Sequence, residues 1–432
     1  MGLRQNALLL AVLTALIAIV ADWTDSSTLA QLWRVPASLL LLGLAYELWW
    51  VRRIALTATL SSDARAVLGR SMRMRYQWTH AVRRTVVVEF APAAPAAASI
   101  EATIRTVSLP PNEVTDDEFT ITPRQLGTHS WPSIKVRVAG PIGFAWWTQQ
   151  LHPEFALRVV PDLLRTTEHR VAATAAGQVT RRVAGSGAEI IQLREYRTGD
   201  SQRAVDWKAT ARSGKLISRD FSEDQHLEII VAIDAGRASR QRCGSLDRLG
   251  HYANIAARFA EYAVAHDDRV GIVVFADRPL AVMPPSRGLP AVLRARRVLA
   301  AMESAPAESN PLYAAVRIAS LVRQRSLVVM LTDLDDATVA GQLAAATRLL
   351  LPKHLPLVAG LASHAADRLA NAVSHAWIDP YHSLAAQEYS ARLRRNVRTL
   401  QSLGAPALAV YPEQLERAVF SAYEGFRARR RV

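Results

Sequence analysis

Cysteine and lysine are both scarce in this chain of 432 residues. Cys243 is the single thiol, which rules out an internal disulfide and suits a reducing compartment. With only four lysines, the net charge of +14 rests almost entirely on arginine. The basic residues are spread along the chain, except for the arginine-rich tail at 427–431. We therefore expect no nucleic-acid partner.

The sequence also lacks the common catalytic motifs. No glycine-rich phosphate loop follows a predicted strand, and no Gly-x-Ser-x-Gly nucleophile elbow is present. The histidines are scattered, with none at metal-ligand spacing to Cys243 or to each other. We therefore expect no enzymatic activity and no catalytic residues.

Two long apolar runs lie near the N-terminus. Residues 7–20 carry no charge, and residues 35–51 carry one carboxylate, Glu47. Each run is near the short end of the ~17–25 residues that span a bilayer. Tryptophans at the ends of the runs are typical of membrane interfaces. The pattern predicts a transmembrane hairpin over residues 1–53, with Glu47 reaching the lipid headgroups.

Flanking charges predict the orientation of this hairpin. Arg4 precedes the first run and Arg52 and Arg53 follow the second, whereas Asp22 and Asp25 lie between the runs. Because basic residues favour the cytoplasmic side, both ends are expected there. We therefore expect a bacterial inner-membrane protein with two spans and the bulk of its chain in the cytoplasm.

Residues 54–165 read as short β-strands. They are separated by turn signals such as Leu-Pro-Pro-Asn at 109–112, which is typical of a small sandwich-like domain. A Gly-Pro turn at 140–147 should open an aromatic strand whose rings join the core. Residues 166–226 form a linker and a charged segment. The predicted strands lie at 85–90, 102–107, 119–121 and 134–138.

Residues 227–432 alternate buried-strand runs with longer helical patterns, which predicts a doubly wound α/β domain. The predicted strands lie at 228–234, 269–276, 326–336, 354–362 and 407–410. The predicted helices lie at 246–267, 288–303, 337–350 and 383–403. A final helix follows the strand at 407–410 and runs to about 427.

Two of these strands end in carboxylates, Asp234 and Asp333. Ligands bind at the carboxyl ends of such strands, and carboxylate oxygens are the ligands that hard cations such as Mg²⁺ or Ca²⁺ prefer. The arrangement resembles the metal-dependent adhesion site of von Willebrand factor A-like domains. It departs from that site because both serines of the Asp-x-Ser-x-Ser loop are missing, and Ser309 stands roughly where a threonine is usual. Arg237 could occupy the cation's place by pairing with Asp234 or Asp333. We expect no resident cofactor, and a degenerate Mg²⁺ or Ca²⁺ site at Asp234, Ser309 and Asp333 remains the alternative.

The charged segment at 185–223 is dense in paired charges around one indole, Trp207, and predicts a packed polar network. It serves either as a structural latch or as a docking face. Its candidate residues are Arg194, Glu195, Tyr196, Gly199, Asp200, Arg203, Asp206, Trp207, Lys208, Arg212 and Lys215.

This segment, LREYRTGDSQRAVDWKATARSGKLISRDF, resembles the signature of the bacterial domain-of-unknown-function 58 family. The strings GPIGF at 140–144 and VVPDL at 159–163 resemble the end of that family's β domain. The resemblance implies paired transmembrane segments, a von Willebrand A-like domain and a MoxR-type AAA+ ATPase as partner. It also implies an adaptor function in the assembly or maturation of an unknown client protein.

Two alternatives to the adaptor remain open. The first is a hydrolase using Asp200, Asp206 and Lys208 as acid/base groups, which must reach a substrate in a pocket. The second is binding of anionic lipid or nucleic acid through the basic excess and the C-terminal arginines.

Overall fold

The structure, a computed structural model, describes residues 2–24, 29–62, 65–162, 184–198, 200–222 and 227–430. The fold is α/β with mixed sheets, and the residues group into two compact units. The first unit comprises Met1–Asp162 with two short pieces, Ser245–Gly250 and Ala300–Glu303, and the second comprises the remainder. Of the predicted linker and charged segment at 166–226, residues 166–183 lie outside the described residues.

The N-terminal part of the first unit is helical. Among the described residues, no helix is long and apolar enough to cross a membrane. The predicted two-span hairpin, and with it the inner-membrane localisation, is therefore wrong. The run at 7–20 falls short of the ~17–25 residues that a span requires, and Glu47 interrupts the second run after Tyr46. The elements are β1 (Gly2–Leu3), α1 (Gln5–Thr24), α2 (Leu29–Leu32) and α3 (Arg34–Arg53).

Glu47 on α3 is 0% exposed, and its carboxylate binds the protein's own backbone. Its Oε1 accepts hydrogen bonds from the N–H groups of Ile142 (3.1 Å) and Phe144 (2.9 Å). Its Oε2 accepts from the N–H of Ala145 (2.9 Å) and from Trp147 Nε1 (3.2 Å). The expectation that Glu47 reaches lipid headgroups is therefore wrong, because all four donors belong to the turn and strand at 140–147.

Two glycines make this contact sterically feasible. A Cβ on Gly140 would lie 2.1 Å from the carboxyl carbon of Glu47, and a Cβ on Gly43 would lie 2.3 Å from the ring of Phe144. Gly143 adopts φ 83°, a left-handed conformation that favours glycine. The Gly-Pro-Ile-Gly-Phe string therefore forms a tight turn whose N–H groups converge on one carboxylate, as anion-binding nests do.

The rest of the first unit is β structure, in which two larger sheets pack face to face. Rings from one sheet, Tyr76 and Trp78, contact Phe90 of the other, with centroids 5.8 and 4.6 Å away. The sheets have the orders β1-β11-β10-β5-β7 and β2-β4-β8-β6, and a third small sheet is β3-β12-β9. The strands are β2 (Thr57–Ser62), β3 (Ala66–Val67), β4 (Met72–Thr79), β5 (Val86–Phe90), β6 (Ala98–Ile100), β7 (Arg105–Leu109), β8 (Thr115–Pro123), β9 (Gly127–Ser130), β10 (Ile134–Ala139), β11 (Ala145–Leu151) and β12 (Ala156–Val160).

The second unit contains a six-stranded sheet. Its buried runs are almost wholly apolar, as strands covered on both faces should be. The strands are β15 (Glu228–Asp234), β18 (Arg269–Phe275), β19 (Pro279–Ser286), β20 (Leu327–Leu331), β21 (Leu355–Leu361) and β22 (Ala407–Val410), and the short strands β16 (Arg242–Cys243) and β17 (Leu246–Asp247) are not part of this sheet. The order is β19-β18-β15-β20-β21-β22, in which β19 alone is antiparallel to its neighbour.

Helices cover this sheet. Leucines on two of them, Leu343 on one and Leu393 and Leu400 on the other, pack with Ile230, Val328 and their neighbours into one core. The helices are α5 (Arg248–Ala265), α6 (Gly288–Ala300), α7 (Pro311–Leu321), α8 (Ala337–Leu350), α9 (His364–Ala370), α10 (Asp379–Ser402) and α11 (Pro412–Arg430). The alternate residues of β15, such as Ile229 and Val231, are equally buried, so both faces of the sheet are covered.

Candidate functional site

The charged segment folds as a two-stranded ladder with a short helix inserted between its strands. Strand β13 (Ala184–Glu195) pairs antiparallel with β14 (Ile217–Ser222), and the helix α4 (Trp207–Ser213) lies between them in sequence. Gly214 ends α4 with φ 68°, the left-handed conformation common after a helix. The segment is therefore a folded element rather than an extended connector.

Asp206 organises the start of α4. Its Oδ1 accepts hydrogen bonds from the N–H groups of Lys208 and Ala209, both at 3.0 Å, as an N-cap residue does. Its Oδ2 accepts a hydrogen bond from Arg219 Nε on β14 at 2.9 Å. The bond from Arg219 and the helix amide of Ala209 lower the pKa of Asp206 to about 2. One carboxylate thus joins the helix to the ladder.

Asp200 makes a second internal pair. Both terminal nitrogens of Arg194 donate to its carboxylate, at 2.8 and 2.9 Å, in the bidentate geometry that arginine favours. The N–H of Arg197 also donates to Asp200, at 2.9 Å. These contacts, the bond from Arg194 first, lower the pKa of the Asp200 carboxyl. The hydroxyl of Tyr196 donates to the backbone carbonyl of Asp200 at 3.1 Å.

A third pair closes the ladder near its end. Lys215 Nζ lies 2.9 Å from Glu195 Oε1, and this bond raises the pKa of Lys215. The hydroxyl of Thr210 on α4 accepts from the N–H of Ile217 at 3.0 Å. Both charged side chains are exposed, so this pair contributes little to stability compared with the hydrogen bonds of Asp206 and Asp200.

Trp207 points away from this network. Its side chain is 67% exposed, and Lys208 and Arg212 on the same helix are exposed as well. The expectation that the charges pack around Trp207 is therefore wrong. The acidic residues hold the segment together, while an indole and two cations remain at its surface. Gly199 and the side chain of Arg203 lie outside the described residues.

The pairing of the two aspartates bears on acid/base chemistry. A general acid or base works best with a pKa near the working pH. The arginine partners instead move the pKa of Asp200 and of Asp206 below the ordinary range, so both are ionised and engaged at neutral pH. Lys208 contributes a backbone N–H to Asp206 rather than a charge. This arrangement favours a structural function for both carboxylates.

The second candidate lies at the carboxyl ends of β15 and β20, which are adjacent and parallel. This is where the strand order of the sheet reverses, the position at which open α/β sheets bind ligands. Asp234 ends β15 and is buried. Its Oδ1 accepts from the hydroxyl of Ser309 and from the N–H of Gly236, the latter at 2.9 Å, and its Oδ2 accepts from Thr332 Oγ1 at 2.6 Å. The fold therefore brings Asp234 and Ser309 together, as the sequence pattern anticipated.

Arg237 does not take the cation's place. Its guanidinium pairs with Glu308 at the surface, and its backbone N–H donates to Ala307. Asp333 is buried beside Tyr252, whose hydroxyl lies 3.5 Å from its Oδ1. The predicted pairing of Arg237 with either aspartate is therefore wrong.

The side chains around Asp234 do not form a set of ligands that fits a resident divalent cation. Gly236 and Ala238 offer no side-chain oxygen, so the loop after β15 supplies neither of the two hydroxyls that the adhesion-type site uses. A Cβ on Gly236 would lie 2.2 Å from Ser309 Oγ, so Ser309 fills the space that a loop serine would need. Within the described residues, no group of three His, Cys, Asp or Glu side chains is placed to hold a metal ion.

Sequence reasoning missed two residues of this cluster, Thr332 and Gly236. Thr332 precedes Asp333 at the end of β20, and its position after a buried strand was a usable signal. Gly236 stands at one of the two positions where the adhesion-type loop has a serine, and its importance lies in the space it leaves for Ser309.

Comparisons with known proteins identify a family for part of the chain. Residues 192–370 match the family described as protein of unknown function DUF58. No curated protein matches.

Several solved structures are similar over parts of the chain, at identities that show no more than fold. The conserved hypothetical protein BatB from Bacteroides thetaiotaomicron is 14% identical, with 47% of this chain and 99% of that chain covered and a TM-score of 0.31. Proximal thread matrix protein 1 from the mussel byssus is 12% identical, covering 38% and 47%, with a TM-score of 0.25. A FixG-related protein from Vibrio parahaemolyticus is 8% identical, covering 23% and 97%, with a TM-score of 0.15. These scores are too low to support a functional argument.

The family match includes α4, β14, the six-stranded sheet as far as β21, and the cluster around Asp234. It says nothing of a von Willebrand A-like domain or of a MoxR-type partner. Over residues 192–370 the chain therefore matches the DUF58 family, as its charged segment predicted.

Proposed function

We propose that this protein is an interaction protein without catalysis of its own, working with a MoxR-type AAA+ ATPase in the assembly or maturation of other proteins. The link to that ATPase comes from the family resemblance of the charged segment. Its α/β unit would serve as a von Willebrand A-like scaffold, and α4 with its flanking loops would be the docking face.

The observation that carries this proposal is that the charged segment pairs its acidic residues internally and exposes a tryptophan and an arginine. Asp200, Asp206 and Glu195 are each bonded to a cation of the same segment. Trp207 and Arg212 project from α4 instead. Tryptophan and arginine are enriched among the residues that dominate binding energy at protein interfaces. A ladder that presents these two residue types, with Asp200, Asp206 and Glu195 each paired inside the segment, suits docking better than acid/base chemistry.

The scaffold part of the proposal is supported by the sheet. Across the sheet, the strands stand in the order third, second, first, fourth, fifth, sixth, numbered by their position in the chain. The third strand is antiparallel to its neighbour. Asp234 and Asp333 lie where that order reverses, as an adhesion-type site would require.

The test is a pull-down of a MoxR-type ATPase from the same organism by the full chain, with and without ATP. We expect Trp207→Ala combined with Arg212→Glu to reduce capture at least about tenfold, because both side chains would be lost from the interface. Both are exposed, so circular dichroism should show an unchanged fold. The matched control is Trp377→Ala, a tryptophan that is also exposed and lies outside the segment.

Three results would count against the proposal. Absence of ATPase binding by the wild-type chain would overturn the partnership itself. Equal capture by wild type and the double variant would leave the partnership and remove α4 as its docking face. Loss of capture with Trp377→Ala alone would move the docking face to another surface.

A further inference from the structure

A second exposed apolar surface lies at the turn between α9 and α10, which we call the α10 face. Trp377, Tyr381 and Leu384 are 81%, 66% and 64% exposed, and Val373 and Leu369 before them are exposed as well. The rings of Trp377 and Tyr381 contact each other edge-on, with centroids 6.5 Å apart. Single exposed apolar residues are ordinary, whereas a contiguous group of them marks an interaction site.

The geometry of α10 explains why this group faces outward. Ala386, Leu393 and Leu400 recur every seven residues and are buried against the core. At about 100° per residue, Tyr381 and Leu384 lie on the opposite side of the helix. Tyr381 and Leu384 therefore lie outside the core-facing stripe and are exposed in the described part of the unit.

The same outward side becomes cationic further along α10. Arg394, Arg395 and Arg398 are exposed, and the structure gives them no acidic partner among the residues it describes. Glu388, between the apolar and the cationic parts, is paired with Arg392 at 3.2 Å. From Tyr381 to Arg398 the face extends roughly 25 Å, about five helical turns.

We infer that the α10 face binds an amphipathic helix of a partner protein, one that carries apolar residues in one half and carboxylates in the other. The apolar half would cover Trp377, Tyr381 and Leu384, as helix-in-groove partners do with side chains spaced three and four residues apart. The acidic half would pair with Arg395 and Arg398. This surface goes beyond the proposed ATPase docking face, and the inference does not depend on that function.

Two other occupants fit the charges less well. A second copy related by a two-fold axis, with the α10 helices antiparallel, would bring Tyr381 and Leu384 rather than carboxylates to Arg395 and Arg398. An anionic lipid surface would meet two carboxylates at the apolar part, Asp379 and Glu388, and like charges there oppose binding. The carboxylate of Asp379 accepts the N–H groups of residues 375 and 376, which fixes it beside Trp377.

The probe is a synthetic helix of roughly 20 residues, about 30 Å long, with leucines in its first half and glutamates in its second. Its binding to the full chain is measured by fluorescence anisotropy. We expect saturable binding that weakens as salt is added. We further expect a loss of about tenfold or more with Trp377→Ala/Leu384→Ala, and also with Arg395→Glu/Arg398→Glu. Replacing the glutamates of the peptide by lysine should abolish binding.

Matched controls make the result specific to this face. Trp23→Ala removes another exposed tryptophan, and Arg323→Glu/Arg325→Glu reverses two exposed arginines elsewhere. Both should bind the peptide as the wild type does. All substituted residues are exposed, and unchanged thermal melting of each variant confirms that loss of binding is not loss of folding.

Several outcomes would overturn the inference. No saturable binding of the acidic helix by the wild type would do so, as would equal loss in the control variants. A dimer in sedimentation that dissociates in Trp377→Ala/Leu384→Ala would assign the face to a second copy. Binding to phosphatidylserine-containing vesicles but not to the peptide would assign it to lipid.

Discussion

Replacing Glu47 by Gln tests whether one buried carboxylate holds α3 to the turn at 140–147. The substitution keeps the shape of the side chain and turns one carboxylate oxygen into an amide that donates. At least two of the four donors, those of Ile142 and Phe144 or those of Ala145 and Trp147, then face a donor instead of an acceptor. The change is therefore a loss of acceptors in a site that excludes water.

The magnitude follows from the count of bonds. Each buried hydrogen bond to a charged acceptor contributes roughly 1.5–3 kcal/mol, and an unsatisfied buried N–H costs about 1–3 kcal/mol. With two such bonds lost, we expect the free energy of opening this contact to fall by about 3–5 kcal/mol. That corresponds to at least a hundredfold loss, roughly, in the protection of its amides from exchange.

The assay is peptide-resolved hydrogen exchange over residues 140–147 in the full chain. A local readout is needed because the chain forms two units, so global melting need not be two-state. The control is Glu113→Gln, which changes an exposed glutamate of the same unit and should leave exchange within about 0.5 kcal/mol of wild type. A loss of protection below about tenfold in Glu47→Gln would refute the reasoning, since the carboxylate would then not be the main acceptor of the turn.

Two further predictions concern the second unit. Because the pKa of Asp206 is lowered from 3.8 to about 2, its stabilising contribution is present above pH 3.8 and is lost as the pH falls through about 2. An NMR titration of the Arg219 Nε–H should show this transition in wild type and not in Asp206→Asn, and a transition near pH 4 would contradict the lowered pKa. Gly236→Ser should destabilise the unit by about 1–3 kcal/mol, since its Cβ would lie 2.2 Å from Ser309 Oγ. Adding Ser309→Ala should recover most of the loss in thermal melting, because the new hydroxyl can donate to Asp234; additive losses would show that the two positions do not compete for space.

Much of the α/β unit could be predicted from the sequence because its strands are buried on both faces. Residues 228–234 and 407–410 coincide with β15 and β22, and the helix at 337–350 coincides with α8. Continuous apolar runs of this kind have no other stable environment than the interior of a covered sheet. Strand β19 and helix α7 were missed, since Pro279–Ser286 contains prolines and the apolar pattern of Pro311–Leu321 is short.

The charged segment was recognised but its structure was not. Reasoning from hydrophobic periodicity fails there because the ladder is held by pairs of charged side chains, such as Arg219 with Asp206, rather than by an apolar face. The same limitation applied to Glu47. An isolated carboxylate in a run of leucines is typical of a membrane-interface residue. Only the distant turn at 140–147 supplies the N–H groups that donate to the buried Glu47.

The sequence by itself determined the α/β class, the family match of residues 192–370 and the position of Asp234 and Asp333 at strand ends, because these depend on local pattern and motif. Tertiary structure alone decided which charges are satisfied. It placed Glu47 among backbone donors, bound Asp206 to Arg219 and left Trp207 exposed. A charged group's function depends on which partners reach it within about 3 Å, and those partners lie 13 residues away for Asp206 and Arg219 and 95 residues away for Glu47 and Ile142.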